Sequence, residues 1–146
     1  MKKDIHSQMA AVVAIGAATL AADNTPAAVD LDGFNAAEVV LAVGIGGITF
    51  SGTNKVEFVL THSDDDTTYT AVETGDMLGV TVASGGIIKA LTAAHAAAAV
   101  YRFGYVGGKR YLKMLADFSG THGTGTPIAA TVIKMGGESN PQAAQA

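Results

Sequence analysis

The feature that most constrains the fold is an alternating apolar segment that ends in an acidic turn. Val56, Phe58 and Leu60 alternate with mostly polar neighbours, which is the period-two pattern of a strand with one buried face. Residues 63–66 read Ser-Asp-Asp-Asp, and such short polar side chains bond to their own backbone in turns. Residues 67–72 are again β-branched and aromatic. The segment therefore predicts a β-hairpin.

Length and composition restrict the class of protein. The chain has 146 residues, which fits one domain with its own core. It has no Cys, so disulfides, thiolate nucleophiles and thiolate metal sites are excluded. Only 15% of residues are charged, and nine Lys and Arg stand against thirteen acids. This balance disfavours direct binding of nucleic acid, whereas a weakly charged surface of small residues suits close contact with other protein.

The N-terminal residues 1–22 begin with a Lys pair and continue into an Ala-rich stretch. This has the outline of a secretory signal, but Asp4 and His6 separate the Lys pair from the apolar part. The stretch is also too short and too weakly hydrophobic to cross a bilayer, and no membrane partner is predicted. We expect an extended arm or first strand that packs on this subunit or its neighbour, and we assign residues 1–28 to it.

Turn-forming residues divide residues 23–47 into a loop, a strand and a second loop. Residues 23–32 predict a loop that leads to a turn at Asp32–Gly33, and residues 36–43 predict a strand. The glycines in residues 44–47 predict a hairpin loop between that strand and the central one. They lack the Lys-Ser/Thr that a phosphate-binding loop requires.

Residues 75–99 give weaker signals. We expect a turn or short bridge at residues 76–79 and an edge strand at Thr81 and Val82. Residues 87–99 are rich in Ala, the best helix former, so they predict at most a short helix or an ordered loop. His95 lies in this Ala run without a second His at helical spacing, which indicates a surface or capping residue.

The second strong β signal is residues 100–117. Tyr101, Phe103 and Tyr105 fall on one face, and Gly107–Gly108 predicts a two-residue hairpin loop. A Gly- and Thr-rich loop at residues 119–126 leads to a last strand.

These elements together predict a mainly β fold, an antiparallel β-sandwich or jelly-roll-like single domain. We assign residues 29–136 to the domain, with the last strand at residues 127–135, and residues 137–146 to a flexible tail.

Residues that could carry chemistry are few. Residues 64–66 are the densest carboxylates, but they lack the alternate spacing, Gly and distal Glu of a calcium loop. Ser63 follows His62, and Ser119 lies near His122, yet neighbours along a strand point to opposite faces and no Gly-x-Ser-x-Gly motif is present. We therefore predict no catalytic, cofactor-binding or metal-binding residues and no enzymatic activity.

Four segments, in this order and spacing, resemble a family of small structural proteins encoded among tailed-phage head genes. They are Lys3-Asp4-Ile5-x-Ser7, Val29 to Phe34 with Ala37-Glu38-Val39, Leu60 to Val72, and Tyr105 to Leu112. The resemblance implies a β-sandwich capsid-associated protein on the outer surface of an HK97-type phage head, made in the bacterial host cytoplasm. It implies the major capsid protein as partner and a homo-oligomer, most simply a trimer, that decorates and cements the shell.

Two other classes of protein stay open at this point. A β-sandwich module that recognises host glycan or protein would present exposed aromatics on one face, and Tyr69, Tyr101, Tyr105 and Tyr111 are the candidates. A secreted hydrolase would need paired carboxylates or a triad, for which the chain offers no persuasive arrangement.

Overall fold

The computed structural model describes residues 4–145. Within that range the chain is built from short and long strands, with single 3₁₀ turns at His6–Gln8 and Thr74–Asp76. The strands are β1 Met9–Leu20, β2 Val29–Asp30, β3 Phe34–Val43, β4 Lys55–Ser63, β5 Thr70–Ala71, β6 Met77–Leu78, β7 Ile87–Leu91, β8 Ala99–Tyr105, β9 Tyr111–Ser119 and β10 Thr126–Gly137.

The strands form two antiparallel sheets. The first sheet has the order β1-β10-β3-β8-β6, and the second has the order β2-β9-β4-β5, with β7 also paired to β4. The two sheets bury one face each against the other, because alternate residues of the long strands are buried. The predicted mainly β, antiparallel sandwich is therefore confirmed.

The core is supplied by alternate residues of the central strands. Val56, Phe58 and Leu60 of β4 are fully buried, as the alternation predicts, and they meet Val39 and Leu41 of β3 in one apolar cluster. Burying one such side chain contributes about 1.5–3 kcal/mol. The core thus lies between β4 and β3, the middle strands of their sheets.

The predicted hairpin after β4 is confirmed, but its returning strand is short. Only Thr70 and Ala71 pair with β4, opposite His62 and Thr61. The rest of that edge of β4 is taken by β7, which pairs through a bulge near Phe58. The prediction of a short helix or an ordered loop at residues 87–99 is therefore wrong for residues 87–91, where pairing with β4 outweighs the helix preference, whereas residues 92–98 do form a loop.

Two other predicted hairpins are wrong, because their loops carry the chain from one sheet to the other. β3 and β8 lie in the first sheet, whereas β4 and β9 lie in the second. At residues 44–47, the Gly44 N–H donates to the Pro127 carbonyl and the Gly46 N–H to the His95 carbonyl. The backbone of this loop is thus bonded to other segments and not across a hairpin.

The Gly107–Gly108 loop is a crossover for the same reason. The Val106 N–H donates to the carbonyl of Asp76 at 2.8 Å, and the Lys109 N–H donates to the Tyr105 hydroxyl at 3.0 Å. Thr81 and Val82 do not form the predicted edge strand either. There the Val82 N–H donates to the Thr74 hydroxyl at 3.0 Å.

The N-terminal segment lies in the first sheet. Residues 9–20 form β1, an edge strand paired to β10 with two register shifts, so the predicted extended arm is not confirmed. Met1 to Lys3, including the start of the quoted N-terminal motif, lie outside the described residues. At the other end, the predicted last strand is confirmed as β10, and the segment after it returns along β1.

Candidate functional site

The outer surface of the first sheet is apolar over almost its whole extent. Its residues alternate with the buried ones along β3 and most of β10, and their register partners on β1, β8 and β6 complete it. We call this surface the apolar face. Its members are Met9, Ala11 and Val13 of β1; Pro127, Ala129, Thr131, Ile133 and Met135 of β10; Ala36, Glu38, Val40 and Ala42 of β3; Val100, Arg102 and Gly104 of β8; and Leu78 of β6.

Several large side chains on this face are well exposed. Val13 is 61% exposed, Val100 64% and Leu78 58%. The charged members are Glu38 and Arg102, whose Oε1 and Nη1 atoms are 3.4 Å apart. Contiguous apolar surface of this kind marks a site of contact with another macromolecule.

The outer surface of the second sheet is more polar, with Val59 and Leu115 as a facing apolar pair within it. It presents Lys55, Glu57 and Thr61 from β4 and Lys113 and Asp117 from β9. Lys55 and Glu57 form an ion pair of 2.7 Å. This surface is suited to solvent, so the two sides of the sandwich are not equivalent.

One end of the apolar face is hollowed into a shallow groove of about 540 Å³. Small side chains line it, among them Ala17, Ala42, Ala99 and Ala129, with Val100 beside them. Small residues allow another backbone to approach closely. The groove therefore continues the apolar face, and its lining is mostly small apolar side chains and not polar catalytic groups.

The two histidines that have a Ser nearby in the sequence make hydrogen bonds that hold the fold together. His62 is buried with Nδ1 2.9 Å from the Tyr105 hydroxyl, while the Ser63 hydroxyl donates to Asp65 at 2.8 Å. His122 is buried, and its Nε2–H donates to the Ser119 carbonyl and not to a hydroxyl. Neither His bonds to the hydroxyl of the Ser near it in the sequence.

His95 and the acidic turn, the other two candidates from the sequence, also make hydrogen bonds within the fold. His95 is half-buried, with Nδ1 2.8 Å from the Gly44 carbonyl and Nε2 3.0 Å from the Tyr101 hydroxyl, so it links the loop after β3 to β8 and does not lie free on the surface. In the acidic turn, Asp65 accepts the N–H groups of Thr67 and Thr68. Residues 4–145 contain no cluster of three or more His, Asp or Glu that could hold a metal ion.

Hydrogen bonds and burial shift the pKa values of Asp65 and His62. Hydrogen bonds from the Thr68 and Thr67 backbone and the Ser63 hydroxyl lower the pKa of Asp65 to about 2. Burial, together with the positive charge of Lys109, lowers the pKa of His62 below its ordinary value. Both groups are therefore held in the states that suit their hydrogen bonds at neutral pH.

The four tyrosines do not gather on one face. Tyr105 is buried, and Tyr101 lies between His95 and the Lys89 ammonium, which is 4.2 Å from its ring centroid. Tyr69 and Tyr111 are half-buried beside Lys113 on the second sheet, with the Lys113 ammonium 4.0 Å from the Tyr69 ring. The structure thus leaves two of the four available to an aromatic binding surface.

The sequence contained a signal for the apolar face that the period-two analysis did not use. β3 and β10 are apolar in both phases, as in the pairs Val39–Val40 and Val132–Ile133. A strand that is apolar on both sides is typical of a sheet covered on both faces. Such a pattern marks the outer side of this sheet as a candidate contact surface.

No helix in the described part of the chain has the length and hydrophobicity needed to span a membrane. Comparison with known proteins gives no match to a family model, to a curated protein or to a solved structure.

Proposed function

We propose that this protein is a virion structural protein that decorates the outer surface of an HK97-type phage head as a homo-oligomer and stabilises the shell. The observation that carries the proposal is the apolar face, a broad sheet surface with one ion pair in it. The resemblance of four sequence segments to capsid-associated proteins supplies the partner, the major capsid protein. The oligomer expected from the same resemblance is a trimer.

The apolar face is large enough for a specific contact. Five strands at about 4.8 Å spacing make the face at most roughly 20 Å wide, and the ten residues of β3 make it roughly 33 Å long at its centre, while β6 contributes two residues. A standard interface buries about 800 Å² on each partner. The groove at the Val100 end of the face would bring the contact closer to that size.

The chemistry of the face suits a protein partner more than the packaged genome. Arg102 is paired with Glu38, and the chain carries a formal net charge of -4. Binding to DNA depends on positive groups that neutralise phosphates. Contact with another apolar, small-residue surface requires no such charge.

A decorating subunit stabilises the shell by mass action. A protein that binds only the intact lattice contributes about 2.7 kcal/mol per site when present at a hundredfold excess over its Kd. Many sites act together, and an oligomer that spans neighbouring capsomers gains from effective concentration. Contacts of modest affinity are therefore enough for cementing.

A matched pair of exposed valines tests which surface binds the shell. Val100 lies on the apolar face and Val106 lies in the crossover loop, and the two are 64% and 54% exposed. Val100→Glu would bury an unpaired charge in the contact, so we expect binding to undecorated heads to weaken about tenfold or more. Val106→Glu should bind as the native chain does, and equal binding of all three proteins would contradict the proposal.

The second candidate is a module that recognises host glycan or protein. Tyr69 and Tyr111 flank Lys113 on the second sheet and are the residues that favour it. Binding to host cells that is lost in Tyr69→Ala, together with unaltered head binding by Val100→Glu, would support this module over the decoration protein.

A further inference from the structure

The edge of β1 that faces away from β10 is covered only by side-chain and backbone contacts of residues 142–145 in the described part of the chain. β1 has β10 on one side and ends the first sheet on the other. Its twelve residues, Met9–Leu20, contain no charged residue and no Pro, which are the usual means of blunting an edge strand. Bulges interrupt the pairing after Val13, so the regular part of this edge is residues 9–13.

One side chain covers this edge at Ala11. The Ala11 N–H donates to Oε1 of Gln145, and Nε2 of Gln145 donates to the Ala11 carbonyl, both at 2.8 Å. The N–H and carbonyl of Ala11 therefore point away from β10. Ala11 and Ile133 face each other as a pair that exchanges no backbone hydrogen bonds. The Gln145 carboxamide occupies the place that a residue of a further strand would take.

We propose that the Gln145 carboxamide is a displaceable cap, and that Ala11 of a second copy takes its place by pairing the two β1 edges antiparallel about a two-fold axis. A facing pair in an antiparallel ladder exchanges both of its N–H and carbonyl bonds. The Gln145 carboxamide makes the same two bonds to Ala11, because its oxygen accepts the N–H and its NH₂ group donates to the carbonyl. This edge pairing goes beyond shell binding and does not depend on it.

A second copy suits the edge because the pairing is self-complementary. With Ala11 facing Ala11, Met9 of each copy faces Val13 of the other, and Ala10 faces Val12. These are all apolar pairs, and apolar cross-strand pairs stabilise a sheet. Three facing pairs supply about six interchain bonds, whereas the caps that they displace supply two bonds on each copy.

The edge of β9, in contrast, is covered by the segment that leads into β2. Asn24 accepts the Ala116 N–H and donates to the Met114 carbonyl, and Asp23 accepts the Phe118 N–H. The chain then continues into β2, which pairs with β9. The β1 cap is one carboxamide, supported by the bond from the Gln142 N–H to the Ser7 carbonyl, so it can leave without opening the sandwich.

The contact leaves the apolar face free. Edge pairing joins two copies side by side and extends the first sheet, so the outer surfaces of both copies form one larger apolar face. Because each copy uses its single β1 edge, this pairing stops at two copies. It therefore gives dimers, or joins two larger oligomers.

Sedimentation velocity of the full chain across a concentration series tests the proposal. Removing the cap in Gln145→Ala should tighten two-fold self-association about tenfold or more, since two hydrogen bonds no longer compete with the partner. Gln142→Ala is the matched control, because its carboxamide bonds to Ser139 within the same segment. It should sediment as the native chain does.

Blocking variants identify the edge and the register. Adding Ala11→Pro to Gln145→Ala removes the edge-directed N–H without breaking a bond to β10, and it should abolish the gain. In the same Gln145→Ala background, Ala11→Lys and Ala11→Glu should each self-associate about fivefold more weakly, and mixing them should restore dimers. Unchanged sedimentation of Gln145→Ala, or no recovery on mixing folded Lys and Glu variants, would overturn the proposal.

Discussion

The hydroxyl of Tyr105 lies 2.9 Å from Nδ1 of His62, and the two residues belong to different sheets. The same hydroxyl accepts the Lys109 N–H at 3.0 Å, so its own hydrogen is available to the unprotonated Nδ1. This buried polar contact ties β8 to β4 near the crossover loop. The hydrogen bond from the Tyr105 hydroxyl to Nδ1 requires a neutral His62.

Acid should weaken the fold through His62. Its folded-state pKa lies below the ordinary value of 6.5, so the unfolded chain binds the proton more readily than the folded chain. Stability is therefore full above the unfolded pKa and falls as the pH drops through it toward the folded pKa. Urea unfolding between pH 8 and pH 5 should show this loss.

His62→Asn is the control for that titration, because its side chain offers an acceptor to Tyr105 and does not titrate. Its unfolding free energy should change less over the same pH range. Parallel pH profiles for the native chain and His62→Asn would contradict the role of His62.

Loss of the Tyr105 hydroxyl should destabilise the protein at neutral pH. Tyr105→Phe leaves the Lys109 N–H and the His62 ring without this partner, which costs about 1–3 kcal/mol for a buried group. Tyr111→Phe, on the outer side of β9, should change the unfolding free energy by less than about 0.5 kcal/mol. Denaturant unfolding of the two variants gives the comparison, and equal losses would count against the buried pair.

The core position of β4 should show a strong contrast between neighbours. Phe58 is fully buried between the sheets, whereas Val59 lies on the outer side of β4. Phe58→Ala should cost about 3–5 kcal/mol, and Val59→Ala should cost much less. Thermal unfolding measures both, and a reversed order would mean that the strand presents its other face to the core.

Asp65 should contribute stability that is lost in strong acid. Its folded-state pKa of about 2 is below the ordinary 3.8, so the contribution is present above about pH 4 and is lost as the pH falls toward 2. Asp65→Asn should be less stable than the native chain at pH 7 and nearly equal to it near pH 2. Asp64→Asn is the matched control in the same turn, and it should leave stability at pH 7 unchanged.

The sequence predicts local patterns well where the buried face repeats. The alternation of Val56, Phe58 and Leu60 correctly located the core strand, and the Ser-Asp-Asp-Asp segment correctly located its turn. The prediction that Tyr101, Phe103 and Tyr105 share one face of their strand was also correct, and the structure places that face on the core side of β8.

Sheet membership could not be predicted in the same way. A glycine pair between two strands fits a hairpin equally well as a crossover, and the choice depends on distant partners such as the Asp76 carbonyl that binds the Val106 N–H. The apolar face was missed because period-two analysis looks for one polar phase, which β3 and β10 lack. The cap on β1 depends on Gln145, 134 residues from Ala11, and no local pattern reports such a pair.

The thermal stability of phage heads with and without this protein tests the central claim most directly. Heat release of DNA should begin at a lower temperature in heads that lack the protein, and the native chain should restore the higher temperature. Val100→Glu should not restore it, and cryo-EM of the restored heads should show the protein on the outer surface with its apolar face against the shell. Unchanged heat release, or density for the protein in the tail or inside the shell, would contradict the decoration function.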